Sequence, residues 1–223
     1  MNISKKDCTG CTACVNVCPQ KCINMTKDRE GFTYPKIDKE KCVYCNLCEH
    51  VCPIINKPVL KRHPIIYAAI NSNNLIRENS SSGGVFYLLA NVVLNNGGVV
   101  FGAAFSPDFR VTHIKCERPE DLYKLQGSKY VQSDLNHIFR DVKQALLRKI
   151  PVYFSGTPCQ IGGLQQYLGR NYDELICQDI ICHGVPSPEV YVRYIEALKK
   201  QYNAQIEKLE FRNKRKGLVQ LSN

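Results

Sequence analysis

The stretches CTGCTACVNVCP at residues 8–19 and CVYCNLCEHVCP at residues 42–53 decide how this chain is read. Each spaces its cysteines as C-x2-C-x2-C-x3-C and closes on proline. The first contains Cys8, Cys11, Cys14, Cys18 and Pro19, and the second Cys42, Cys45, Cys48, Cys52 and Pro53. The spacing repeats without deviation, so the N-terminal region is an internal duplication. Three thiolates spaced three residues apart in a tight loop reach three irons of one cubane, while the fourth, just before proline, points to the other cluster. The pattern predicts two 4Fe-4S clusters with crossed ligand sets: Cys8, Cys11, Cys14 and Cys52 for the first, and Cys42, Cys45, Cys48 and Cys18 for the second. Structural zinc is the rival for four cysteines, but it takes two C-x2-C pairs across a longer spacer.

Small residues in the first loop, Thr9, Gly10, Thr12 and Ala13, let backbone N–H groups approach the sulfides. The second loop is bulkier, with Val43, Tyr44 and Leu47, and is expected to be less solvated. Between the motifs, Ile23, Met25, Phe32, Tyr34 and Ile37 surround polar turns and predict a short hairpin beside the clusters. Residues 1–57 thus read as an α+β ferredoxin-type domain. Cys22 falls outside both motifs and is read as a small buried apolar residue.

The rest of the composition sets limits. Of 13 cysteines in 223 residues, only Cys116, Cys159, Cys177 and Cys182 follow the second motif. The opening MNISKKDC has no secretory pattern, and no apolar run approaches the ~20 residues of a spanning helix. A cytoplasmic protein with no membrane span is expected, and clustered cysteines in a reducing compartment serve as metal ligands before disulfides. The formal charge is +10, and each bound cluster lowers it by about two. The basic excess that remains favours an acidic electron carrier or an anionic cofactor. Its densest part, residues 199–216, with seven Lys or Arg against Glu207 and Glu210, reads as a solvated face, and nucleic acid is not an expected partner.

Past a connector at residues 58–64 the composition changes. Apolar runs at 65–70 (IIYAAI), 99–105 (VVFGAAF), 152–154 and 175–181 predict strands covered on both faces. Helical patterns at 85–94, 135–149, 161–168 and 189–201 alternate with them, so residues 65–223 are predicted to form an α/β domain. Cys116 and Cys177 are read as core, and His50, His63, His113 and His137 are given no role.

Three loops are richer in polar groups than a turn requires. Residues 79–84 (NSSSGG) enter a helix and read equally as a phosphate site or as a serine N-cap. Residues 155–160 (SGTPCQ) follow a strand, where functional groups gather in such sheets, and place Cys159 at a helix start as a thiolate, a further cluster ligand or a cofactor contact. Residues 182–188 (CHGVPSP) also follow a strand and pair Cys182 with His183. Residues 127–130 (GSKY) offer a hydroxyl, a cation and a ring to a flavin or its phosphates, and read equally as an ordinary surface turn.

Taken in order, the ferredoxin pair, SSSGGVFYLLA at 80–90, GGVVFGAAF at 97–105, GSKYVQS at 127–133, FSGTPCQIGGL at 154–164 and ICHGVPSP at 181–188 resemble the coenzyme F420 hydrogenase/dehydrogenase beta-subunit family over nearly the whole chain. The resemblance implies an α/β flavin-binding-type domain in an oxidoreductase whose clusters feed or drain FAD, with hydride exchanged with a small-molecule substrate such as coenzyme F420. It implies a flavin pocket lined by Ser81, Ser82, Gly83, Gly84, Ser128, Lys129, Tyr130, Thr157, Cys159 and Gln160. Cys159, Lys129 and His183 stand as the catalytic groups, and the partner is a redox protein or electron carrier. A non-enzymatic electron-transfer subunit of a larger redox complex is the alternative. The family is longer than this chain, so truncation soon after FRNKRKG at 211–217 is expected, with some of the flavin site missing.

Overall fold

A computed structural model describes residues 3–57 and 64–212. Most of the connector, and FRNKRKG from residue 213 on, lie outside them. Each cysteine motif is a loop that ends in about one helical turn, α1 (Ala13–Val17) in the first and α2 (Leu47–His50) in the second. The backbone repeats along with the sequence. Gly10 and its counterpart Tyr44 have φ of 67° and 52°, and the next matched pair, Thr12 and Asn46, have 63° and 59°. Left-handed residues in such turns present successive N–H groups to one side, the arrangement of an anion-binding nest. The predicted hairpin is present: β1 (Ile23–Lys27) pairs antiparallel with β2 (Thr33–Ile37), Ile23 opposite Ile37 and Lys27 opposite Thr33. Asp28 shapes its turn by accepting from the N–H groups of Glu30 at 3.0 Å and Phe32 at 3.1 Å.

The remainder runs α3 (Asn74–Glu78), α4 (Val85–Asn95), β3 (Val99–Phe105), β4 (Val111–Cys116), a 3-10 helix (Pro119–Lys124), α5 (Ile138–Leu147), β5 (Val152–Gly156), α6 (Pro158–Leu168), β6 (Leu175–Asp179) and α7 (Pro188–Tyr202). The sheet has the order β4-β3-β5-β6. The β3, β5 and β6 strands are parallel and β4 is antiparallel on β3, so the architecture is mixed α/β. Alternate residues of β3 and β5 go to opposite faces. Phe101 and Phe154 join Phe139, Val142, Ile161 and Leu164 on the α5–α6 side, while Val100 and Tyr153 join Ala90, Val93 and Leu122 on the α4 side. Burial of each large side chain here stabilises by about 2 kcal/mol. Ala13 and Val51, from the two cysteine motifs, belong to the α5–α6 core. The motifs and the sheet therefore share one apolar interior.

Three expectations are corrected. The run at 65–70 forms no strand: Ile65, Ile66, Tyr67 and Ile70 are exposed; β-branched residues make a strand only against a paired neighbour, and this run is absent from both sheets of the described residues. The N-cap of α4 is Gly84, at φ 79°, and not a serine. Cys177, on the edge strand β6, is half-buried and packs against the α5–α6 core, in keeping with its reading as core. The second cysteine loop is open rather than shielded, with Val43 60% and Tyr44 71% exposed. The β4 strand went unread in the sequence because VTHIKC alternates polar and apolar residues, unlike the continuous runs beside it.

Candidate redox site

Cys8, Cys11, Cys14 and Cys52 line one space, with Met25, Pro35, Pro53 and Ile54 as apolar wall. Among the described residues no three His, Cys, Asp or Glu side chains converge to hold a single ion. Four thiols around one space are the donor set that a polynuclear iron-sulfur cluster takes. Burial pushes the thiol of Cys11 up to about 11 and that of Cys14 up to about 12. Such thiols ionise only when a cation is bound to them. In the second set Cys42 and Cys48 are half-buried and Cys45 is exposed. Cys22, 3% exposed as its apolar reading requires, also places its Sγ 3.4 Å from that of Cys18.

The first cysteine loop is held by the α/β part of the chain. A Cβ on Gly163 of α6 would lie 2.9 Å from Cys11 Sγ, so only glycine lets the helix approach this close. Cys159 stands one turn earlier than Gly163 on the same face of α6, since residues four apart on a helix are neighbours. Gln132 Nε2 donates to the Thr9 carbonyl at 3.3 Å, over Gly10, where a Cβ would come within 2.7 Å of that same nitrogen. Arg140 of α5 donates from Nε to the Asn16 carbonyl and from Nη2 to the Val15 carbonyl, each at 3.1 Å, satisfying the open end of α1. Sequence reading missed both Gln132 and Arg140. Gln132 lies inside the quoted GSKYVQS, but nothing local shows that its target is 123 residues away.

The parallel strands β3, β5 and β6 end at one sheet edge, outside which ligands of such sheets sit. Two of the predicted loops meet there: Ser128 N donates to Ser81 Oγ at 2.6 Å. Lys129, half-buried, donates from Nζ to the Gln126 carbonyl at 2.8 Å and the Gly127 carbonyl at 3.2 Å, and burial lowers its pKa to about 8. The carbonyls of Gly83 and Gly84 accept from Asn71, while Ser82 lies between Ser81 and this pair. Tyr130 is half exposed and meets Phe211 edge-on, with ring centroids 5.6 Å apart.

At the end of β5, Gln160 Oε1 accepts from Thr157 N at 2.9 Å and Gln160 Nε2 donates to Ser133 Oγ at 2.9 Å. Cys159 Sγ sits 3.0 Å from Thr157 Oγ1. The third loop diverges from these. His183 is exposed, and the loop ends by docking on the hairpin, where the Ser187 hydroxyl donates to the Glu30 carbonyl and Lys27 pairs with Glu189 at 3.6 Å.

His113, given no role from sequence, is 5% exposed and stacks on Phe154 at 5.4 Å. Its Nε2 lies 3.0 Å from the Ser155 carbonyl and its Nδ1 has no partner. Burial lowers its pKa to about 4. Recognising β4 in the sequence would have flagged it, since an inward strand position takes a histidine only at a cost.

Comparison with known proteins adds two matches. Residues 7–54 match the 4Fe-4S dicluster domain, and residues 151–223 match the C terminus of the coenzyme F420 hydrogenase/dehydrogenase beta-subunit family. No curated protein matches the chain. Among the described residues, no helix is long and apolar enough to cross a membrane.

Proposed function

We propose that this chain, whose residues 7–54 match a 4Fe-4S dicluster domain and whose residues 151–223 match the C terminus of the coenzyme F420 hydrogenase/dehydrogenase beta subunit, is an iron-sulfur flavin oxidoreductase. Electrons pass between two 4Fe-4S clusters and FAD, and hydride is exchanged with coenzyme F420 or another small molecule. One observation carries this reading: Gly163 lies against Cys11 while Cys159, on the same helix, stands where β5 ends. The α6 helix thus links the thiol-lined space to the edge where the polar loops gather. When bound, the clusters supply one-electron steps and the flavin converts them to a two-electron hydride.

The duties of the chain's own groups follow. Cys8, Cys11, Cys14 and Cys52 hold the first cluster, and Cys42, Cys45, Cys48 and Cys18 the second, within residues 1–57. Thr9 Oγ1 is buried without a partner beside the first set, a donor that a cluster sulfur would satisfy. Residues 65–223 form the flavin domain. Ser81, Ser82, Gly83, Gly84 and Ser128 take the phosphates, with the Lys129 ammonium balancing their charge. Tyr130, Thr157, Cys159 and Gln160 bound the ring, and His183 faces substrate from the outer loop.

Anaerobic reconstitution followed by iron, sulfide and flavin analysis tests the proposal. About eight irons with one flavin per chain is the expected result. Clusters without flavin at any concentration would leave an electron-transfer subunit instead. Ser81→Ala, which removes the acceptor for Ser128 N, is expected to weaken flavin binding about tenfold with iron unchanged.

A further inference from the structure

The two cysteine loops are copies in sequence and in backbone, yet their surroundings are opposite. In the first, Gly10 lies under Gln132 and Ala13 is 0% exposed against the α5–α6 core. In the second, the matching positions are Tyr44 and Leu47, 71% and 40% exposed, with Val43, Cys45 and Asn46 exposed beside them. The first loop is covered by the chain's own α/β part. Among the described residues the same face of the duplicate is exposed, and it has apolar side chains where the covered copy has glycine and alanine.

We propose that this face, Val43, Tyr44, Leu47 and the exposed Cys45, is the docking surface for an acidic one-electron carrier protein. The inference rests on the cluster reading above and names where electrons cross the protein surface. Three observations select this occupant. The pseudo-symmetric partner loop is already taken by the redox machinery of the chain, so the open copy is left for an external one. Cys45 brings a proposed cluster ligand to solvent at the centre of the patch, as electron transfer between proteins requires. With both clusters bound, the formal charge of +10 falls to about +6, which still steers acidic partners. The patch is also a few side chains wide, against the roughly 20–30 residues a side of a stable interface. That size fits a brief redox encounter, whereas a lasting dimer needs more.

The test uses the full reconstituted chain and a reduced two-cluster bacterial ferredoxin as the acidic carrier, with dithionite as a small reductant that needs no docking. Tyr44→Gly suits the loop because glycine accepts its positive φ, and Leu47→Ser is an independent second variant. Each is expected to slow stopped-flow reduction by ferredoxin at least about tenfold, the loss of one interface anchor. Reduction by dithionite and the iron content should not change. Rising salt should slow the parent's reaction with ferredoxin, and Leu88→Ser on α4 should leave it unaltered. Unchanged ferredoxin rates in both variants at full iron content would overturn the proposal alone. So would loss of iron in both variants, which would make the patch structural, or a parent dimer in sedimentation velocity that both variants disperse. A parent that binds no iron overturns the proposed function as well.

Discussion

Gly162 and Gly163 are neighbours on α6, and what surrounds each decides what a methyl group would do. At Gly162 the nearest atom to an added Cβ is Pro53 Cβ at 3.5 Å, an ordinary contact. Gly162→Ala should stabilise the protein by about 1 kcal/mol through helix propensity. At Gly163 the same methyl meets Cys11 Sγ at 2.9 Å and Cys11 Cβ at 3.0 Å. Gly163→Ala should push the first loop out of shape and leave about four irons instead of about eight. Equal iron in the two variants would refute the first ligand set. His113 makes a second prediction at this scale. Its folded pKa of about 4 lies below its ordinary 6.5, so the unfolded chain binds the proton first as pH falls. The stability contributed by the neutral, buried ring is complete above pH 6.5 and is lost between there and pH 4, about 3 kcal/mol in all. His113→Phe removes that loss. Its melting temperature should gain on the parent's as pH drops through this window, and a constant difference would count against a buried neutral histidine.

Among elements, α5 holds the first cysteine motif through its apolar face and through one polar side chain. Arg140 closes the end of α1 with two donors in a planar fork, a geometry that a lysine ammonium does not reproduce. Arg140→Ala should cost about 2 kcal/mol and speed loss of iron to a chelator, and Arg140→Lys should restore little of either. Full rescue by lysine would mean that charge alone matters. How far such elements could be read from sequence follows from what specifies them. The cysteine loops and the hairpin were legible because their spacing and alternation are local. The β3 strand was legible to its ends because a strand buried on both faces is apolar throughout. Residues 65–70 have the same composition and no strand, since pairing is supplied by a neighbour and not by the run itself. Arg140, Gln132 and His113 were silent for a related reason: each acts on a group far along the chain. The exposure of the second loop was misjudged because bulk at Val43, Tyr44 and Leu47 indicates burial only where something lies above it.

At the scale of the whole molecule, the sequence divides at a connector while the interior does not. Ala13 and Val51 lie in one apolar core with Phe101, Phe139 and Phe154, and Gln166 of α6 donates to the Asn56 carbonyl at 2.8 Å. Iron bound to the cysteine motifs therefore stabilises the sheet as well, because a group that binds only the folded chain draws the whole cooperative unit with it. Anaerobic chelation should lower the melting temperature of the sheet, followed by circular dichroism, by roughly 5–10 °C for a loss of about 3 kcal/mol. In the loaded protein, bleaching of the cluster absorbance should coincide with that transition. If the two domains were independent, the clusters would bleach at their own temperature and chelation would leave the sheet's melting unmoved. That result would contradict the shared core, and with it the route through α6 on which the proposed electron path depends.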